Sequence, residues 1–186
     1  MRFRLSVSCA ATVLVLFASG TMLAADGQPP LPFRNLRTFD ADVYSAITSC
    51  YSLSLTCHSL IDEIESSTTI VYLRRGQCQP GKGGSCVQFA AASPRARWLH
   101  VVLDKDRIGE YLVSSAAHEL QHVVEVVRAP QILDLASFRS LYRRIGFFIR
   151  GSGMREEWET EEAQRIALVV SKEVRRSQRA ARLALQ

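Results

Sequence analysis

Apolar residues at Val43, Ile47, Tyr51 and Leu55 recur near helical spacing, and Leu60, Ile61 and Ile64 continue them. They predict one helix from Asp40 to about Glu65, broken by Ser66–Thr69. The pattern then changes: Ile70, Val71, Tyr72 and Leu73 form a β-branched and aromatic run that reads as a strand. Glycines and Pro80 between Arg75 and Ser85 mark a loop. Val87–Ala91 suits a short strand, Ser93-Pro94 a turn, and Trp98–Leu103 a firmer strand that contains His100. Asp104 or Asp106 can cap the next helix, from about Arg107 to Arg128, which Pro130 stops. Ile108, Leu112, Ala116, Leu120, Val123, Val124 and Val127 make it a core helix. Two further helices follow, one over 137–148 and one starting near Glu156, with Gly146, Gly151 and Gly153 marking looser backbone between them.

This order predicts an α+β fold, with a small antiparallel or mixed sheet packed beside the long helix and the C-terminal helices. A length of 186 residues suits a single domain over 37–186. At 47% hydrophobic and 22% charged, the composition is that of a chain with a packed core.

The first 25 residues read differently. Arg2 and Arg4 precede an apolar stretch centred on Val13–Phe17, and small residues at Ala24 and Ala25 follow. That is the layout of a cleavable secretory signal over 1–25, with a retained membrane anchor as the alternative reading. The Pro-rich stretch to residue 36 reads as an extended leader. The expected location is therefore periplasmic or secreted, with no stable anchor once the signal is cleaved. Loss of Arg2 and Arg4 lowers the formal net charge from +5 to +3. Much of that excess lies in Lys172, Arg175, Arg176, Arg179 and Arg182, read as a solvated helix face. No nucleic-acid module accompanies them, so no nucleic-acid partner is expected.

Cys9 leaves with the signal, and Cys50, Cys57, Cys78 and Cys86 remain. An even number in an exported chain suggests disulfides, and local pairing of Cys50 with Cys57 and Cys78 with Cys86 is the simplest of three possibilities. Their spacing does not match the paired C-x-x-C of a cysteine zinc site.

The chemistry is concentrated in His118-Glu119-Leu120-Gln121-His122. Residues four apart share a helix face, so both imidazoles can reach one ion, and zinc suits them. Glu119 lies about 100° round the helix. It is the candidate catalytic carboxylate, placed to take a proton from water beside the metal.

The stretch Ala116–Val124 resembles the active-site helix of zincin metallopeptidases. Together with Trp158-Glu159-Thr160-Glu161-Glu162-Ala163, it is similar to small exported bacterial proteins carrying H-E-L-Q-H and E-T-x-x-A pieces. The resemblance covers roughly the second half of the chain and implies a zinc-dependent hydrolase acting on a peptide or protein. The metzincin pattern is excluded, because Glu125 stands where its glycine would be and Arg128 where its third histidine would be. A gluzincin-like carboxylate from a later helix is expected instead. Glu159 is the first choice, as it matches the E-T-x-x-A piece and Ala163 leaves space; Glu162, Glu161 and Glu156 follow. Glu125 either orients an imidazole or is solvated. Tyr142 either stabilises an oxyanion or packs in the core, with packing the ordinary role. His100 reads as a core or surface histidine rather than a ligand.

Three functions fit these residues. The first is a zinc metallopeptidase with His118, His122 and Glu159 as ligands. The second is a non-catalytic, zinc-stabilised binding or scaffolding domain. The third is an exported interaction module that binds no metal.

Overall fold

The computed structural model describes residues 30–78, 84–150 and 156–186. The expected signal at 1–25, the first part of the leader, the centre of the loop between Arg75 and Ser85, and Gly151 and Gly153 lie outside these residues. The fold is mixed α and β, with five helices and a four-stranded sheet.

The expected single helix over 40–65 is two. Helix α1 (Ala41–Leu53) begins at Asp40, whose side chain accepts from the Asp42 and Val43 amides. Helix α2 (Leu55–Glu65) begins at Ser54, whose hydroxyl accepts from the Cys57 amide. Ser54 has extended backbone, and its cap restarts the helix in a new direction. Periodicity alone misses the break because apolar residues continue on both sides of it. A Cys50–Cys57 disulfide spans this corner.

Strands β1 (Leu36–Arg37), β2 (Thr69–Gly76), β3 (Cys86–Ala92) and β4 (Arg97–Asp104) form the sheet in the order β1-β2-β4-β3. β1, β2 and β4 run parallel, and β3 pairs antiparallel with β4. The segment expected as a leader thus supplies an edge strand, and Leu31 and Leu36 are buried. A second disulfide, Cys78–Cys86, ties the segment after β2 to the start of β3.

Helix α3 (Gly109–Val127) carries the H-E-x-x-H residues and packs against α1, α2, β3, β4 and α5 (Glu161–Leu183). Eleven of its residues are buried, including Glu119, Gln121 and His122. No aspartate caps it, contrary to expectation: Ile108 occupies the cap position without a side-chain bond. Asp104 is committed elsewhere, accepting from the Gly84 and Asp106 amides. Gly109 opens the helix at φ +53°, a conformation that side-chain-bearing residues rarely adopt. At the other end, buried Arg97 donates to the Val126 and Ala129 carbonyls at 2.7 and 2.9 Å. It satisfies acceptors that the helix terminus leaves open.

Helix α4 (Leu135–Ile145) leads into a hairpin of β5 (Phe147–Arg150) and β6 (Glu157–Glu159). The helix expected from Glu156 instead starts at Glu161, with Thr160 as its cap. The run from Glu156 to Glu162 is rich in carboxylates and resembles a first helical turn. Pairing with β5 holds its first part extended instead.

Two disulfides fit an extracellular location, and no described helix is long and apolar enough to cross a membrane. Cys50 and Cys57 are fully buried, whereas Cys78 and Cys86 are half-exposed. Mild reductant under native conditions should therefore open Cys78–Cys86 first. Alkylation and mass spectrometry should detect label at Cys78 and Cys86 while Cys50 and Cys57 stay unlabelled until the protein unfolds. Simultaneous labelling of all four would contradict this order.

Candidate metal centre

Helical geometry places His118 and His122 one turn apart on α3, with ring centroids 5.0 Å apart. Strand β6 delivers Glu159 between them. Its Oε2 lies 3.0 Å from His118 Nε2, and its Oε1 lies 3.2 Å from His122 Nε2. One ligand atom from each of the three falls within 4.8 Å of the others. Among the described residues this is the one group of three or more His, Cys, Asp or Glu side chains that can hold a metal ion. Glu159 comes from a strand end, not from the expected helix.

The other candidate carboxylates are engaged elsewhere or stand apart. Glu156 accepts from Arg143 and from the Trp158 ring nitrogen. Glu162 pairs with Arg165, and Glu161 is exposed on the first turn of α5. His100 is exposed on β4 and stands edge-on to Tyr72.

Close approach of the chain positions Glu159. A Cβ on Gly146 would meet the Glu159 carbonyl oxygen at 2.6 Å and that of Tyr142 at 2.9 Å. Only a residue without a side chain lets the α4–β5 corner lie this close to β6. Thr160, the next residue, has three roles. Its amide donates to Glu159 Oε1 at 2.7 Å, and its hydroxyl donates to Glu125 Oε1 at 2.7 Å. The same hydroxyl accepts from the Ala163 amide at 3.2 Å and so caps α5.

Glu125 completes the chain, with Oε2 at 2.8 Å from His122 Nδ1. Its side chain is 9% exposed, so it orients an imidazole rather than facing solvent. By accepting at Nδ1 it leaves Nε2 free for a metal. Tyr142 is buried, and its hydroxyl donates to the His122 carbonyl at 3.0 Å. It braces α3 from the core side, in keeping with a packing role.

Electrostatics follow from this burial. Desolvation opposes a charge on His122, but hydrogen bonds to Glu125 and Glu159 and the nearby Glu119 outweigh it, and its pKa is raised to about 10. Burial likewise opposes the charge on Glu159, yet the two imidazoles hold its carboxyl well below the usual carboxylate range. Glu119 shifts the other way: burial dominates and raises its pKa, against the pull of His122 and His118. Its Oε2 is buried without a hydrogen-bond partner.

The donor set fits a zinc-type ion. Four donors at about 2.0–2.1 Å in a tetrahedron stand roughly 3.3 Å from one another. The carboxylate already lies 3.0 and 3.2 Å from the two imidazole nitrogens. The unpartnered Glu119 oxygen also requires a polar neighbour that the described residues do not supply.

No protein-family model, no curated protein and no solved structure matches the chain.

Two outcomes are expected in solution. A metal taking His122 Nε2 must displace the proton held there, because that histidine keeps its proton up to a pH of about 10. Zinc addition at pH 7 should release about one proton per ion, read with an indicator dye in weak buffer. Apparent affinity should rise with pH by up to about tenfold per unit below pH 10. Binding without proton release would contradict the assignment. Separately, Thr160→Ala removes the hydroxyl joining Glu125 to α5, and should weaken metal affinity about 10–100-fold. A competition titration against a chelator dye measures it, and unchanged affinity would remove Thr160 from the site.

Proposed function

We propose that this chain is an exported zinc-dependent hydrolase of zincin type that cleaves peptide bonds, with His118, His122 and Glu159 as metal ligands and Glu119 as general base. One observation carries the reading: a buried carboxylate oxygen on Glu119, without a partner, next to three convergent metal donors. A purely structural zinc site calls for four protein ligands and no spare base. The group here has three donors, and Glu119 stands outside it with one oxygen unpartnered among the described residues.

When bound there, a zinc ion supplies a Lewis acid that polarises a carbonyl and eases ionisation of a water. The rest is work for the chain's own residues. Glu119 accepts the proton of the attacking water at Oε2 and returns it to the departing amine. Burial raises its proton affinity, which suits a group that must both take and give a proton near neutral pH. Glu125 and Thr160 hold His122 and Glu159 in place, so the reacting groups need little reorganisation. Export rests on the apolar leader at 1–25, and the two disulfides agree with it.

Glu119→Gln keeps the shape of the side chain and removes the base. Hydrolysis of an unfolded polypeptide should fall by about 10²–10⁴-fold. Zinc content, measured by atomic absorption, should stay at one ion per chain. Equal turnover by both proteins would remove Glu119 from the mechanism. A zinc-loaded wild type that cleaves nothing would favour the non-catalytic, zinc-stabilised reading.

A further inference from the structure

Helix α5 runs past the body it packs on. Its buried residues, Ala163, Ile166, Val170 and Val174, make one stripe at helical spacing. Beyond Val174 no residue of the helix is buried, and Gln178–Leu183 are all exposed. Among the described residues, the last side-chain hydrogen bond along it runs from the Ser177 hydroxyl to the Leu53 carbonyl at 2.9 Å. Gln178–Leu183, about 9 Å of helix, therefore stands clear of the core.

This end of the helix carries Lys172, Arg175, Arg176, Arg179 and Arg182, all exposed. At about 100° per residue, the five lie within roughly 60° of one line along the helix. That line is about 180° from the buried stripe, so the cations occupy the outermost face. No Asp or Glu occurs between Val174 and Leu183. Glu173 is turned inward, accepting from the Thr56 amide and hydroxyl at 3.1 and 2.9 Å. Arg175 is paired with Glu110 of α3. Lys172, Arg179 and Arg182 make no side-chain hydrogen bond or ion pair among the described residues, and Arg176 has only Glu173 nearby. Complementing the helix dipole accounts for Arg182 in the last turn but not for the other four, because that effect fades within one turn. Two leucines share the face, Leu168 and Leu183, each 65% exposed.

We propose that this face of α5 docks lengthwise on an anionic lipid bilayer. The proposal needs neither the metal nor the hydrolase reading. Charge complementarity sets the sign of the partner: Lys172 to Arg182 spans about 15 Å and presents five cations with no carboxylate among them. Cations in a row on one rigid helix meet a plane of phosphates together. Between them the leucines reach the boundary below the headgroups, while the long arginine and lysine stems keep their charges at the phosphates. Single-stranded nucleic acid is held by stacking on aromatic rings, and α5 has none. Two disulfides fit an extracellular location, where an exported chain meets the bilayer it has crossed. Attachment of this kind is reversible, unlike that of a spanning helix.

Sedimentation with vesicles tests the proposal. Vesicles of phosphatidylcholine with about 30% phosphatidylglycerol are compared with phosphatidylcholine alone, at about 0.05 M salt. The protein should bind the mixed vesicles about tenfold or more tightly than the neutral ones, and about 0.5 M salt should release it. Arg179→Gln combined with Arg182→Gln, on turns that bury nothing, should weaken binding to the mixed vesicles about tenfold to thirtyfold and leave the circular dichroism spectrum unchanged. Arg95→Gln combined with Arg144→Gln removes the same charge from exposed positions elsewhere and should weaken binding by less than about threefold. The segment at 1–25 is common to all forms, so the comparison between variants reads α5 alone. A DNA duplex at equal phosphate concentration should leave the protein on the vesicles. Equal binding to both vesicle types, binding to neither, equal losses in the two double variants, or displacement by DNA would each overturn the proposal.

Discussion

A helix buried on nearly all sides cannot carry ionisable side chains unless something nearby answers them, and that constraint organises this molecule. Helix α3 lies between α1, α2, α5 and the sheet, yet its middle turn holds two histidines, a glutamate and a glutamine. In water these groups would need nothing special. In the core each must find a partner or lose several kcal/mol. Glu159 and Glu125 answer the imidazoles. Glu119 Oε2 goes unanswered among the described residues. That oxygen lies beside the one group of described side chains that could hold a metal ion.

The surrounding architecture serves to bring one carboxylate to that turn. Glu159 does not belong to the main sheet or to a long helix. It ends a three-residue strand in a separate hairpin, and three devices place it. The absence of a side chain at Gly146 allows the backbones to close. Thr160 fixes the carboxylate through its amide while its hydroxyl caps α5. Glu125 then joins that hydroxyl to His122. Helix α5 packs along α3 and buries Ala163, Ile166, Val170 and Val174, which fixes its start near the histidine turn. Glu173, accepting from Ser54 and Thr56, anchors the middle of α5 to the α1–α2 corner.

How much of this the sequence reveals depends on the range of each interaction. The histidine pair is local: a spacing of four on a helix determines a shared face, and the apolar residues around it show that the face is buried. The two disulfides are also local, and their simplest pairing is the one observed. Glu159 could be singled out from its E-T-x-x-A setting, but not for the right structural reason. Its position depends on a strand pairing between Phe147 and Glu159, which no local pattern encodes. The same limit explains the single helix expected over 40–65, where a serine cap breaks a continuous apolar rhythm, and the aspartate cap expected for α3. Asp104 instead bonds to Gly84, twenty residues earlier, across the β3–β4 pair. Thr160 could have been recognised from sequence as a helix cap ahead of Ala163, but its bond to Glu125 could not.

The hairpin origin of Glu159 has a consequence for cooperativity. A site whose donors all lay on α3 would form as soon as the helix did. Here the His118–His122 pair and Glu159 meet only when β5–β6, α5 and α3 have all docked. The Glu159 carboxylate sits between the imidazoles, at distances close to those the donors of a tetrahedral ion would keep from one another. An ion bound there would exchange an internal ion pair for coordination with little movement, and would stabilise the docked arrangement over any in which the hairpin has peeled away.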